Sequence, residues 1–300
     1  MARLRLPVRA HQAKVEPGFA ARSALNFRID PSYPDRVDPT RSAKGLAGLP
    51  PQGGGAKPAR MIPAPAFLAN PERFMAFSRW AAPLLGALAA VLALAGLWFG
   101  FTAPEDYQQG ATVRIMFIHV PAAIMAMFAY VCLGVASFLA LVFRHALADA
   151  AAQAAAPLGA ALTFLALATG SLWGRPMWGA WWVWDARLTS VLVLFLFFVA
   201  YLALRASIDD ETKGARAAAI LALVGLVNLP VVHFSVYWWN TLHQGSSILT
   251  KGALPPVYAT PLMLMNLAYL TGFGALWLVR IRGEVWRRRA EAAALRAARA

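Results

Sequence analysis

Cysteine is almost missing from the 300 residues, with Cys132 the only one. One cysteine excludes an internal disulfide, a Cys-x-x-Cys-His haem attachment site and any Cys-rich zinc or iron–sulfur centre. Charge is scarce as well, at 14% of residues, where an ordinary soluble domain carries about 25%. Hydrophobic residues make up 59% and mean hydropathy is +0.54, more apolar surface than a soluble core could hide. No Gly-Lys dipeptide occurs, which excludes a P-loop ATPase. Alternating apolar and polar strands are absent too, which argues against an outer-membrane barrel.

The charge that is present is unevenly placed. The net charge is +14. Residues 1–60 hold eleven Lys or Arg against four acids, so half of the excess lies in one fifth of the chain. This stretch is rich in Pro, Gly, Arg and Ala and contains no apolar run, so it is not a secretory signal and is expected to be a disordered basic extension. An alternative reading places the true start at Met61, making the first 60 residues a start-site artefact. A sequence pI near 10.8 suggests nucleic acid at first sight. Basic residues flanking apolar spans more commonly set membrane orientation, so no nucleic-acid partner is expected.

Six apolar runs follow, at about 80–101, 117–143, 155–172, 188–204, 217–237 and 258–281. Each is near the roughly 20 residues that a bilayer requires, and backbone in lipid must satisfy its own hydrogen bonds, so each is expected to be a helix. Lys and Arg in the short connections divide thirteen to four between the two sides. The fold expected is therefore an all-α integral membrane protein of six transmembrane helices with both termini cytoplasmic. Residues 61–282 form the membrane domain. Residues 283–300 form a cytoplasmic basic tail, in which Arg287–Ala300 is read as an Ala-rich helix anchored on anionic lipid. Asp209, Asp210 and Glu211 beside Lys213 read as a solvated charge cluster.

The outer side carries the unusual residues. Trp173, Trp178, Trp181, Trp182 and Trp184 fall within twelve positions of one loop, interleaved with Asp185 and Arg187. A belt at the headgroup level needs only one or two Trp per helix end. Five suit a platform for a flat, conjugated, amphipathic ligand. His119 and His243 lie at outer helix ends or loops, whereas His145 lies on the inner side and His233 within the fifth span. Two imidazoles on one face flanking such a platform suit the axial positions of haem iron better than zinc, for which a third ligand is lacking. The outer cations are Arg114, Arg175, Arg187 and Lys251. Arg114, five residues before His119, is placed to reach a haem propionate. Arg187 either contacts the ligand or pairs with Asp185 to shape the loop.

The run Gly174-Arg-Pro-Met-Trp-Gly-Ala-Trp-Trp-Val-Trp-Asp-Ala-Arg-Leu-Thr189 resembles the tryptophan-rich WWD signature of haem-handling proteins. Together with Arg114-Ile-Met-Phe-Ile-His-Val-Pro121 and Trp238-Trp-Asn-Thr-Leu-His-Gln-Gly245, it resembles the CcmC family of bacterial system I cytochrome c maturation, over roughly residues 70 to 282. The resemblance implies transient bis-His haem b with His119 and His243 as axial ligands, a WWD loop from Trp173 to Asp185, and functional arginines at Arg114 and Arg187. It further implies a multi-pass protein of the bacterial inner membrane with periplasmic functional loops. Its implied partners are a membrane-anchored periplasmic haem chaperone, the ABC transporter subunits of the maturation system and a small membrane accessory subunit. The activity expected is haem binding and delivery, with no catalysis. The alternatives are a WWD-type cytochrome c synthase component and a haem-translocating permease. A haem-b electron-transfer protein would need facing intramembrane histidines, and His233 has no partner of that kind.

Overall fold

The computed structural model describes residues 70–243 and 254–298, all within the compact unit Pro58–Ala300. The expectations for residues 1–60, Met61 and Lys251 fall outside the described residues. The helices are α1 (Pro71–Thr102), α2 (Met116–Phe143), α3 (Ala146–Trp178), α4 (Ala186–Ser207), α5 (Glu211–Gly225), α6 (Asn228–Trp238) and α7 (Pro256–Ala297). A short 3-10 turn, Ala111–Ile115, leads into α2. No β-strand occurs among the described residues. Six helical segments are long and apolar enough to cross a membrane, with α5 and α6 together forming the fifth. The all-helical, six-span expectation therefore holds, and the protein is a multi-pass membrane protein.

Local chemistry explains the boundaries. Asn70, His145, Asp185 and Asp210 each cap a helix N-terminus with a side-chain acceptor. The break between α5 and α6 follows from Pro230, which has no N–H to offer the Leu226 carbonyl four residues back. The chain instead closes with tight bonds from Leu226 N to Leu223 O and from Val227 N to Val224 O, both 3.2 Å. Asn228 Nδ2 donates across to Ser190 O at 2.9 Å and ties the break to α4. The Leu226 carbonyl freed by Pro230 accepts from Leu229 N at 3.1 Å, so the break satisfies its own backbone, as membrane depth requires.

The core lies among α2, α3, α4 and α5, around Tyr130, Leu133, Leu194, Phe198 and Tyr201. Small residues let these helices approach closely. At Gly159 a Cβ would sit 2.1 Å from Phe198 Cζ, so only glycine admits that ring. α1 packs along α7 and barely touches α2. Its Trp80, Leu84, Leu88, Val91, Leu94 and Trp98 form an exposed apolar stripe at helical spacing, as suits a membrane-spanning helix.

Chain direction puts the starts of α1, α3 and α5 at one end of the bundle with the ends of α2, α4 and α7. That end is laced with ion pairs. Asp149 takes Arg205 at 2.9 Å and Arg288 at 2.5 Å, Arg287 reaches Glu211 at 2.9 Å, and Arg289 reaches Glu72 at 2.7 Å. Asp209, Asp210 and Glu211 are solvent-exposed, as expected, with Lys213 beside Asp210 at 3.5 Å and Glu211 also reached by Arg287. Residues 287–297 are helical, as the reading of the tail expects. They continue α7 without interruption, and Glu284, Arg287, Arg288 and Glu291 pair at i+3 and i+4 along it.

Candidate functional site

The opposite end gathers the tryptophans and two of the histidines. His119 stands in the first turn of α2 and points at α3. Its Nδ1 lies 3.0 Å from Ala166 O and 3.1 Å from Thr169 Oγ1. Thr169 already donates its own hydroxyl proton to Leu165 O at 2.6 Å. Both neighbours of Nδ1 are therefore acceptors, which places the proton on Nδ1 and leaves a lone pair on Nε2. Gly170 gives the ring its room, since a Cβ there would lie 3.0 Å from His119 Cε1.

His243 comes from the other side, on the chain after α6. Thr241 Oγ1 accepts its backbone N–H at 3.2 Å and donates to its carbonyl at 3.1 Å, fixing the local backbone. Burial, and then the Arg187 cation, lower the His243 imidazole pKa to about 4, so the ring is neutral at pH 7. His119 and His243 line one cavity with Ala166, Gly170, Trp182 and Arg187, and its volume is about 90 Å³.

The tryptophans surround this cavity in three settings and do not form a single sheet. Trp173 and Trp178 belong to the last turns of α3, and the connecting loop itself is only Gly179–Asp185, which corrects the expectation of one loop carrying all five. α3 stops at Gly179, whose φ of 75° is left-handed, and Arg175 donates to the Gly179 carbonyl. Trp173 meets His119 edge-on at 5.7 Å between ring centroids and donates from Nε1 to Gln109 Oε1 at 3.0 Å. Trp178 lies 4.8 Å from the His243 ring. Trp182 forms a wall of the cavity and packs edge-on against Trp184 at 5.5 Å. Trp181 and Trp184 face outward, 58% and 75% exposed.

Asp185 does not pair with Arg187. One carboxylate oxygen caps α4 by accepting from Leu188 N at 2.7 Å, and the other is buried without a partner. Arg187 lines the cavity, and its Nε is also buried and unpartnered. Arg114 stays on the 3-10 turn, where one terminal nitrogen donates to Ala103 O at 3.4 Å. Its Nε is orphaned as well, and it does not line the cavity. Among the described residues eight buried side-chain polar atoms lack a partner. Five of them, on Arg114, Trp182, Asp185, Arg187 and His243, belong to this end. Buried polar groups are nearly always satisfied, so such a concentration marks a place built for something polar.

The structure brings the sequence-predicted His119, His243, Trp182 and Arg187 to one cavity. Sequence reasoning did not single out Thr169, Gly170 or Gln109, which contact His119 or Trp173 there. An Ala-Thr-Gly run inside an apolar helix is a weak sign of close approach, and nothing in the sequence marks Gln109. His145 caps α3 at the far end, and His233 is exposed on α6, edge-on to Phe234 at 4.7 Å. Neither lines the cavity.

These features define a class, that of polytopic helical membrane proteins with a paired-histidine, tryptophan-walled site at one end of the bundle. Residues 65–296 match the family described as CcmC, Heme exporter protein C, and the chain belongs to that family. It is 54% identical over 224 residues to Heme exporter protein C of Bradyrhizobium diazoefficiens, covering 74% of this chain and 85% of that protein. Heme exporter protein C of Escherichia coli K12 is 48% identical over 220 residues, 73% of this chain and 89% of the relative. That of Paracoccus denitrificans is 45% identical over 235 residues, 77% of this chain and 98% of the relative.

Proposed function

We propose that this protein binds haem at the tryptophan-rich end of the bundle and hands it to a haem chaperone for c-type cytochrome maturation, without catalysing a reaction on it. The observation that carries the proposal is the cavity that the His119 and His243 imidazoles share, with orphaned buried polar atoms on three of its lining residues, Trp182, Arg187 and His243, and two more on Arg114 and Asp185 at the same end. Among the described residues no group of three His, Cys, Asp or Glu could hold a bare metal ion. A pair of imidazoles suits a metal that brings its other four ligands with it, as haem iron does. Arg187 and Arg114 offer cationic nitrogens to the two propionates. Trp173, Trp178 and Trp182 offer ring faces and edges to the macrocycle, with Asp185 and the exposed Trp181 and Trp184 completing the rim.

The two histidines have different mechanical roles. His119 is held by two acceptors on a neighbouring helix, which fixes its ring plane and tautomer in the manner of an outer-shell partner. His243 rides on non-helical chain. At about 90 Å³ the cavity is well below the roughly 300–1,000 Å³ of an enclosing ligand site. Haem therefore enters edge first, the His243 side yields, and one edge of the macrocycle stays open. An open edge and an adjustable ligand are what transfer to a partner requires.

Carried over from the family, the partners are a membrane-anchored periplasmic chaperone, the subunits of an ABC-type export complex and a small accessory membrane subunit. The thirteen-to-four bias of Lys and Arg supports cytoplasmic termini and a tryptophan end on the opposite side, which in the bacterial inner membrane of the family reading is the periplasm. The test is cytochrome c maturation and haem yield in cells carrying His119→Ala, His243→Ala or His145→Ala. The first two are expected to abolish delivery, and the third to leave it intact. Wild-type delivery from both site variants would refute the reading.

A further inference from the structure

Because α1 leans on α7 and barely touches α2, a groove opens between α1 and α2 at the ion-paired end of the bundle. Its volume is about 560 Å³. Phe77 of α1, Val131, Val135 and Leu139 of α2, and Trp277 and Ile281 of α7 make an almost wholly apolar lining. The α2 residues that border it run from Val131 to Phe143, about 18 Å of helix rise. That is close to one leaflet of a hydrocarbon core about 30 Å thick.

Two polar groups line the same groove, Arg73 and His145. His145 Nδ1 accepts the Ala148 N–H at 3.2 Å as the N-cap of α3. In that arrangement the ring proton sits on Nε2, which is buried and has no partner among the described residues. His145 thus presents an unused N–H donor and not a metal lone pair. An occupant that satisfies this groove has a leaflet-length apolar body and an anionic, acceptor-bearing head.

We propose that the groove binds one anionic phospholipid from the leaflet at this end. One acyl chain lies between α1 and α2. The phosphate accepts from His145 Nε2–H and pairs with the Arg73 guanidinium. A zwitterionic head brings a cation toward Arg73 and fits less well. The site is separate from the histidine pair at the other end and does not depend on what that pair binds.

The test uses the full-length protein in nanodiscs of equal phosphatidylglycerol and phosphatidylcholine, with retained lipid identified by native mass spectrometry. The wild type is expected to retain one phosphatidylglycerol per chain, favoured roughly tenfold over phosphatidylcholine, the discrimination that about 1.4 kcal/mol provides. Arg73→Gln and His145→Asn are each expected to cut that preference several-fold, and the pair to remove it. Asparagine preserves the cap of α3 while withdrawing the ring N–H. Val135→Trp, at a half-exposed wall position, is expected to expel lipid of either kind. Three results would overturn the proposal: no headgroup preference in the wild type, an unchanged preference in the double variant, or displacement of the retained lipid by added haem.

Discussion

The two ends of this bundle treat polar groups in opposite ways. At the end that carries the start of α1 and the tail of α7, Arg205, Arg287, Arg288 and Arg289 all find carboxylates. At the other end Arg114, Arg187, Asp185, Trp182 and His243 keep buried atoms with no partner. The first arrangement holds helices together. The second leaves polar groups ready for an external partner, at a cost in stability of about 1–3 kcal/mol for each unsatisfied group. Stability and the proposed haem binding are therefore assigned to different ends of the same helices, the orphaned His145 Nε2 of the lipid groove being an exception at the ion-paired end, and perturbing one end should leave the other's property largely untouched.

The strongest way to test that separation is Asp149→Ala. It strands Arg205, whose side chain is only 7% exposed, and removes a partner of Arg288. Breaking a buried pair on one side costs about 3–5 kcal/mol. The lower end applies here because Gln153 still accepts from Arg205 at 2.8 Å. A loss of about 3 kcal/mol in reversible unfolding is expected, with haem bound per folded molecule unchanged. If haem binding fell in step with stability, the separation of the two ends would fail.

Gly170→Val applies the reverse pressure. The new side chain pushes on the His119 ring at a 3.0 Å approach and disturbs its two-acceptor seat. Haem affinity is expected to fall by tenfold or more, with a smaller change in unfolding midpoint. Equal affinity in variant and wild type would show that the orientation of His119 is not set by α3.

A pH series comes next in size. The His243 pKa is lowered to about 4 from an ordinary value near 6.5. Between those values the unfolded chain binds more protons than the folded one, so this group makes stability rise with pH across the window. The haem-free protein should lose stability as pH falls from about 6.5 toward 4, and His243→Gln should flatten that slope. Haem affinity should be flat from pH 7 to about 5 and weaken only as pH nears or passes 4, where a proton begins to compete with iron for the free His243 imidazole. Retention that fails at pH 6 would contradict a buried, neutral His243.

The smallest effects concern single tryptophans. An aromatic contact is worth about 0.5–1.5 kcal/mol beyond burial. Trp182→Phe, at the cavity wall, should weaken haem binding by about tenfold or less. Trp184→Phe, at 75% exposure, should do much less. Replacing Trp178, Trp181, Trp182 and Trp184 together should abolish binding while both histidines remain. Equal loss at positions 182 and 184 would mean that the exposed ring is as much a part of the site as the wall.

Much of the fold was legible from composition and run length, because lipid imposes helices on any long apolar segment. The six spans and the separation of His119 and His243 from His145 follow from that constraint. Boundaries were less legible. α3 runs through Gly170 and Gly174 and ends only where Gly179 takes the left-handed cap, so two of the five tryptophans belong to a helix. The α5–α6 break was hinted at by Pro230 alone. Pairings between distant segments were not legible at all. Thr169 and Gln109 meet the site only through helix packing, across sequence separations of 50 and 64 residues. The ion pairs of Asp149 with Arg205 and Arg288 arise in the same way, across separations of 56 and 139 residues.

The central claim, that the unsatisfied end holds haem between His119 and His243, is most directly tested by the absorption spectrum of purified, haem-loaded protein with each histidine replaced in turn by alanine. The account predicts a six-coordinate, low-spin spectrum for the wild type and for His145→Ala, and loss of that spectrum in both His119→Ala and His243→Ala. A six-coordinate spectrum that persists unchanged in either site variant would contradict it.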